Sequence, residues 1–323
     1  MFSLSELQSA EQLVRRYLPP TPQLNWPLLS ARTGADLWVK HENHAPTGAF
    51  KGRGGLLHLS KLQAAGQSKR GIISATRGNH GLSLAYAGRI FGLPVTIVVP
   101  NANSVEKNRF ICALGARLVE IGDDFDAARL EAMRLAKEEQ LHFVPSFHPD
   151  LVLGVSTWAF ELFTSVQDIE ALYVPIGLGS GICGAICVRD LLNLRTEIIG
   201  VQSAHFPAYA TSLAAGKAID VSGGQTYLDG VSVRIPDPSA FAIIQGGVSR
   251  IVTISDDEAA QAVRAYWTDT HNLAEGAGAA ALAGVLKERQ FVAGRRIAAV
   301  LSGGNIDFDM FHEWIGRVDD FCS

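Results

Sequence analysis

The sequence has no apolar run long enough to cross a bilayer. Apolar stretches such as Val95–Pro100 and Ile297–Leu301 have strand length, against the ~20 residues a spanning helix needs. It also has no surplus of positive charge. Lys and Arg number 28 against 32 Asp and Glu, for a net charge of −4 without a basic run, which excludes the electrostatic footprint of a nucleic-acid binder. Cysteine is scarce. Cys112, Cys183, Cys187 and Cys322 are scattered, too few and too irregular for a disulfide framework or a zinc site. Cys183 and Cys187 would share one helix face as small core residues. No metal-ligand set stands out. Met1-Phe2-Ser3-Leu4-Ser5-Glu6 is not a cationic segment leading into an apolar block, so it does not read as a secretion signal. The expectation is a cytoplasmic protein with neither a membrane nor a nucleic-acid partner.

What is present is a large apolar inventory, 47% of 323 residues with 19% charged, enough for about two domains. Ser3 and Glu6 have capping-box spacing ahead of Leu4, Leu7, Leu13 and Val14, a helix that must stop by Pro19-Pro20. The spacing then predicts alternation: strands at Leu37–Glu42, Gly71–Ser74, Val95–Val99 and Arg117–Ile121, and helices at His80–Phe91, Val105–Leu114 and Phe125–Glu139. A second series begins near Asp150, with helix Leu151–Phe163, strand Leu172–Ile176, a helix from Gly181 and strand Glu197–Val201. Helices at Ser255–His271 and Ala277–Lys287 precede strand Arg296–Leu301. Residues 216–247, rich in Gly, Pro, Ser and Asp, are expected to be largely loop. The fold class is α/β, with open, mostly parallel sheets flanked by helices.

Such sheets bind ligands at strand carboxyl ends, so the turns after strands carry the information. Gly177-Leu178-Gly179-Ser180-Gly181 follows a strand and opens a helix. Its glycines admit close backbone approach and the helix start favours an anion, phosphate above all. A tight turn without ligand is the plainer alternative, and a dinucleotide fingerprint is matched only loosely through Gly184. Lys51 stands among Gly48, Gly52 and Gly54 at a helix start, where positive potential favours the free amine. A solvated surface lysine is the ordinary alternative. Ser74–Gly81 could cradle a carboxylate on backbone N–H groups, with His80 as a binding or a merely structural histidine. Leu301-Ser302-Gly303-Gly304-Asn305 closes the last strand.

Taken together and in order, these turns resemble the fold-type II pyridoxal-phosphate enzymes, the tryptophan synthase β-like family, and within it the threonine/serine dehydratase and serine racemase branch. The motifs are Thr47–Lys51, Gly78-Asn79-His80-Gly81, Pro175–Gly181, Asp229-Gly230-Val231, Glu275–Ala279 and Ser302–Asn305, covering about Pro20 to Asp307. The resemblance implies pyridoxal 5'-phosphate carried covalently on the ε-amine of Lys51, with Phe50 on the ring. It places Asn79 on the ring hydroxyl, the backbone of Gly177, Leu178, Gly179, Ser180 and Gly181 around the phosphate, and Ser302 at the ring nitrogen. The substrate carboxylate would sit on Thr76, Arg77, Gly78, Asn79 and His80. A small domain, 46–146, would be inserted in a large one, 1–45 and 147–323, and the protein would be a homodimer.

The activity so implied is elimination of ammonia from a β-hydroxy amino acid, L-threonine and/or L-serine, to a 2-oxo acid. Two departures qualify it. Arg77 stands where racemases have a proton-donating serine, and arginine is a poor proton exchanger, so racemisation is less expected and an acidic substrate such as 3-hydroxyaspartate enters, as does phenylserine. Gln202 stands where metal-using relatives place a glutamate, so no divalent-metal activation is expected through that position. The chain ends at Ser323, soon after the last motif, so feedback inhibition by isoleucine is not expected either. A β-replacement synthase, a nicotinamide dehydrogenase and a non-catalytic binding module are the other readings.

Overall fold

The structure, a computed structural model, describes residues 1–316; Cys322 lies outside them. The chain forms two compact units, each with its own sheet.

Unit 1 comprises Met1–Pro20 and Ala45–Thr157. Its four strands, β3 (Ile72–Ala75), β4 (Val95–Val99), β5 (Arg117–Glu120) and β6 (His142–Phe143), lie parallel in the order β5-β4-β3-β6. Helices α3 (Lys51–Ala64), α4 (Asn79–Phe91), α5 (Val105–Ala113) and α6 (Phe125–Glu138) are the connections and covers. Helix α1 (Leu4–Arg15) carries both halves of the capping box, Ser3 and Glu6. Its apolar stripe ends in Val14, and Val14 and Leu18 pack with Leu56, Leu59 and Leu84 in this unit's core. That packing is why residues 1–20 cluster with the inserted segment, although the sequence suggested 1–45 for the larger domain.

Unit 2 comprises Thr21–His44 and Trp158–Ser323. Strands β1 (Gln23–Asn25), β2 (Asp36–His41), β7 (Ala171–Pro175), β8 (Glu197–Ser203), β9 (Arg250–Ile254) and β10 (Arg296–Leu301) run in the order β1-β2-β10-β7-β8-β9. All pairs are parallel except the edge strand β1, antiparallel to β2. Central strands buried on both faces demand continuous apolar sequence, and β7, β8 and β10 supply it. Helices α8 (Ser180–Leu191), α11 (Asp256–Thr270) and α12 (Gly276–Lys287) cover the sheet. Helix α12, apolar until its final Lys287, is buried along Gly276–Val285.

Residues 216–247 are not all loop. Their last ten form α10 (Pro238–Gly247), because Asp237 caps the N–H groups of Ser239 and Ala240 and Pro238 sits at the first helical position. Helix α7 (Pro149–Ser165) is longer than the apolar pattern alone indicated.

Candidate functional site

In unit 1 the strand order reverses between β3 and β6. The turn after β3 is Thr76–Gly78, leading into α4. Such a crevice is where open sheets hold ligands. Thr76 Oγ1 accepts from the Gly78 N–H at 3.0 Å, which shapes the turn. Gly78 is the N-cap of α4 and provides no side-chain cap, so the first-turn N–H groups remain for an anion. Asn79 opens the helix, half-buried, and Arg77 is exposed.

The His80 ring is committed elsewhere. Its Nε2 faces Ser74 Oγ at 3.1 Å, and that hydroxyl donates to the Val144 carbonyl at 2.7 Å. Full burial, with the charges of Lys51 and His58 adding, pushes the His80 pKa down to about 3. A neutral imidazole donating from Nε2 follows, so what this residue can offer a carboxylate is its backbone N–H.

Lys51 is the first residue of α3, whose N-cap, Phe50, also gives no side-chain cap. Its Nζ lies 5.3 Å from the Phe50 ring centroid. The glycines around it have a packing reason. A Cβ on Gly55 would lie 2.3 Å from Ser83 Oγ and 2.7 Å from the Ser83 carbonyl oxygen, so only glycine lets α3 and α4 touch backbone to backbone. The same Ser83 hydroxyl donates to the Lys51 carbonyl at 2.6 Å. The two helix starts are thereby fixed to each other.

Sequence reasoning missed Lys107. It lies on α5, and its stem covers Gly78: a Cβ there would meet Lys107 Cδ at 2.6 Å and Nζ at 3.4 Å. An ammonium beside the Thr76–His80 turn adds positive potential for a carboxylate. Only the Gly78 that makes room for it signalled this.

In unit 2 the strand order reverses between β7 and β10, and two of the predicted turns flank that point. After β7 comes Ile176–Gly179, then α8. Gly179 is its N-cap, at φ 105°, and again leaves the helix without a side-chain cap. A Cβ on Gly177 would lie 2.3 Å from the Gly230 carbonyl oxygen, so the Asp229-Gly230-Val231 motif presses directly on the glycine turn. Tyr209 Oη donates to the Leu178 carbonyl at 2.9 Å and accepts from the Asp237 N–H at 3.1 Å, bracing the turn from outside. After β10 comes Ser302, buried, with its hydroxyl 3.4 Å from the Ala277 carbonyl. At that length the bond is weak, and a better acceptor can take the hydroxyl. The Gly303 carbonyl accepts from the Glu275 N–H at 3.1 Å, joining the Glu275–Ala279 and Ser302–Asn305 motifs.

The predicted residues thus fall into two groups, each at its own sheet's reversal: Phe50, Lys51 and Thr76–His80 in unit 1, Gly177–Gly181 and Ser302 in unit 2. An uncapped helix start behind a glycine turn suits a phosphate dianion, a neutral hydroxyl at a strand end suits a pyridine nitrogen, and a lysine at a helix start suits an aldehyde. These residues therefore fit pyridoxal phosphate. Gln202 is occupied otherwise: its Oε1 accepts from the N–H groups of Tyr209 and Ala210. Cys183 is buried and Cys187 half-buried on α8, both as free thiols, as core residues of one helix should be.

Comparison with known proteins agrees. Residues 14–303 match the family described as pyridoxal-phosphate dependent enzyme. The chain is 33% identical to the L-threonine ammonia-lyase of Thermotoga maritima over 98% of its own length and 79% of the relative's. It is 28% identical to the L-threo-3-hydroxyaspartate ammonia-lyase of Saccharomyces cerevisiae, over 98% and 97%. Against a longer relative, the threonine dehydratase of Nicotiana attenuata, it spans 48% of that protein. Among solved structures it superposes on the processed threonine deaminase isoform 2 of Solanum lycopersicum with a TM-score of 0.89 at 27% identity, covering 98% of this chain and 95% of that one. The dehydrogenase and binding-module readings have no counterpart in these matches. By fold, by motif order and by the match over most of its length, the chain belongs to the pyridoxal-phosphate-dependent enzyme family.

Proposed function

We propose that this chain removes ammonia from a β-hydroxy amino acid, L-threonine and/or L-serine, leaving a 2-oxo acid. The observation that carries it is the kind of residue found at the two sheet reversals: a primary amine and an anion-binding helix start in one unit, a phosphate-type glycine turn and a neutral hydroxyl in the other.

Bound pyridoxal phosphate supplies an electron sink for the charge left at the α-carbon. The chain's own residues do the rest. The uncapped start of α4, with Lys107 beside it, binds the substrate carboxylate and so fixes the α-carbon. The Lys51 amine takes the α-proton as general base. The Cβ–O bond then breaks and the β-hydroxyl leaves with a proton as water, so that one water is lost here and one consumed when the released enamine hydrolyses to the 2-oxo acid and ammonia. Ser302, being neutral, does not hold a proton on the ring nitrogen, which weakens the sink and favours rapid β-elimination over transamination.

Arg77 supports a second substrate. It is exposed on the carboxylate-binding turn, and the yeast relative, which matches this chain end to end, is named for 3-hydroxyaspartate. A distal carboxylate on Arg77 would suit that substrate. The test is an assay for 2-oxo acid and ammonia across L-threonine, L-serine, threo-3-hydroxyaspartate and phenylserine. Turnover of the first two supports the leading reading, the third alone supports the Arg77 reading, and D-serine in place of pyruvate overturns both. The same reading takes the protein as a cytoplasmic homodimer, which sedimentation checks for assembly. Among the described residues no helix is long and apolar enough to cross a membrane.

A further inference from the structure

Unit 1 contains a cluster to which elimination chemistry gives no task. His58 lies on α3, seven residues after Lys51, so about two helical turns and ~10 Å along the axis from it. His148 immediately precedes α7 and Asp150 is its second residue. One oxygen of Asp150, Oδ2, stands 3.6 Å from His58 Nδ1 and 3.5 Å from His148 Nδ1. The three residues offer ligand atoms that all lie within 4.8 Å of one another. Tetrahedral ligands ~2.0–2.1 Å from an ion are separated by roughly 3.4 Å, so the triad is already near coordination spacing. His58 is 2% exposed; its Nδ1 looks only onto the Asp150 carboxylate, beyond ordinary hydrogen-bond length, and its buried Nε2 has no hydrogen-bond partner. An imidazole buried in that state is costly and calls for a ligand.

We propose that His58, His148 and Asp150 form a binding site for a divalent transition-metal ion of the zinc class, with the fourth position open to solvent on the His148 side. Two imidazoles and a carboxylate select zinc, cobalt or nickel over magnesium and calcium, which require oxygen. The half-buried His148 and Asp150 give the ion its entry. Two local groups compete with it. Lys61 Nζ pairs with the other oxygen of Asp150, Oδ1, and the Asp150 N–H donates to His148 Nδ1 at 3.1 Å; the ion must take that nitrogen from a neutral donor. Bound, it would tie the middle of α3 to the start of α7, bracing the helix that begins with Lys51 without touching the reacting atoms.

The test uses the holoenzyme, stripped of adventitious metal by chelator dialysis and titrated with zinc against a chromogenic chelator. One equivalent per chain is expected, with a rise in Tm, and magnesium should give neither. In Asp150→Asn and in His58→Gln the zinc affinity should fall by ~10-fold or more, while the yellow cofactor absorbance and far-UV dichroism report an intact protein. Lys61→Met, which removes the competing cation, should tighten zinc. Cobalt bound to the unmodified holoenzyme should show the intense visible bands of a tetrahedral site, at longer wavelength than the cofactor. No saturable equivalent, equal affinity in folded Asp150→Asn, or a weak octahedral cobalt spectrum overturns the proposal. The cobalt spectrum decides alone if both ligand variants fail to fold.

Discussion

Helices α1 and α11 begin in one way, and α3, α4, α8 and α12 in another. The first pair carry complete capping boxes, Ser3 with Glu6 and Ser255 with Glu258. The second group open on Phe50, Gly78, Gly179 and Glu275, none of which makes a side-chain cap. A cap satisfies orphan N–H groups within the chain and stabilises the helix. An uncapped start leaves them for something else. The four uncapped starts are those that the Lys51, Gly78, Gly179 and Glu275 motif turns open. Under the proposed function, stability and chemistry fall to different helix starts, although α2 (Pro27–Thr33) and α9 (Ala208–Ala215) show that an uncapped start alone marks no site.

The sharpest way to break this comparison is at Lys51. Lys51→Ala should abolish the yellow colour and lower turnover on the order of 10³-fold, read by absorbance and ammonia release; turnover near that of the parent would refute the assignment. Next is Gly177→Ala, whose new methyl must displace the Gly230 carbonyl. A strain of ~1–3 kcal/mol corresponds to cofactor binding weaker by about 10- to 100-fold, measurable by cofactor titration. Ser302→Asp, beside the α12 start, would hold a proton on the ring nitrogen and should slow ammonia release by roughly 10-fold; unchanged turnover counts against the neutral-ring argument.

A pH experiment separates the groups further. Burial pushes the His41 pKa down to about 4 and that of His80 to about 3, both from 6.5. Below 6.5 the unfolded chain therefore takes up protons that the folded chain refuses, and stability falls as pH drops from 6.5 toward 4. His80→Gln should make that acid limb shallower in denaturant titrations at pH 7 and pH 5. The smallest effect belongs to a capped helix. Ser255→Ala should cost ~1 kcal/mol, lowering Tm slightly, with activity at room temperature unchanged.

Much of this was legible in the sequence because it is local. The parallel α/β character follows from apolar runs alternating with helical spacing, and the capping box at Ser3 was readable from two residues. The turns after β3, β7 and β10 were legible as turns because glycine and small polar residues gather there directly after an apolar strand. What escaped is non-local. β6 is only two residues long, so the reversal it creates beside β3 has no sequence signature. Val14 and Leu18 looked like any helix stripe, and only packing assigns them to unit 1. Lys107 and the His58–His148–Asp150 cluster join residues tens of positions apart, and no spacing rule finds them. The reason for Gly55 is also non-local: it makes room for Ser83, 28 positions on.

The Ser83 hydroxyl bound to the Lys51 carbonyl, together with the side-chain-free seam at Gly55, has a mechanical corollary. The Lys51 start of α3 and the Thr76–Gly78 turn are bolted to one frame within unit 1, so their mutual aim is set by that seam. Substitutions at that seam should therefore corrupt stereochemical fidelity before they weaken substrate capture.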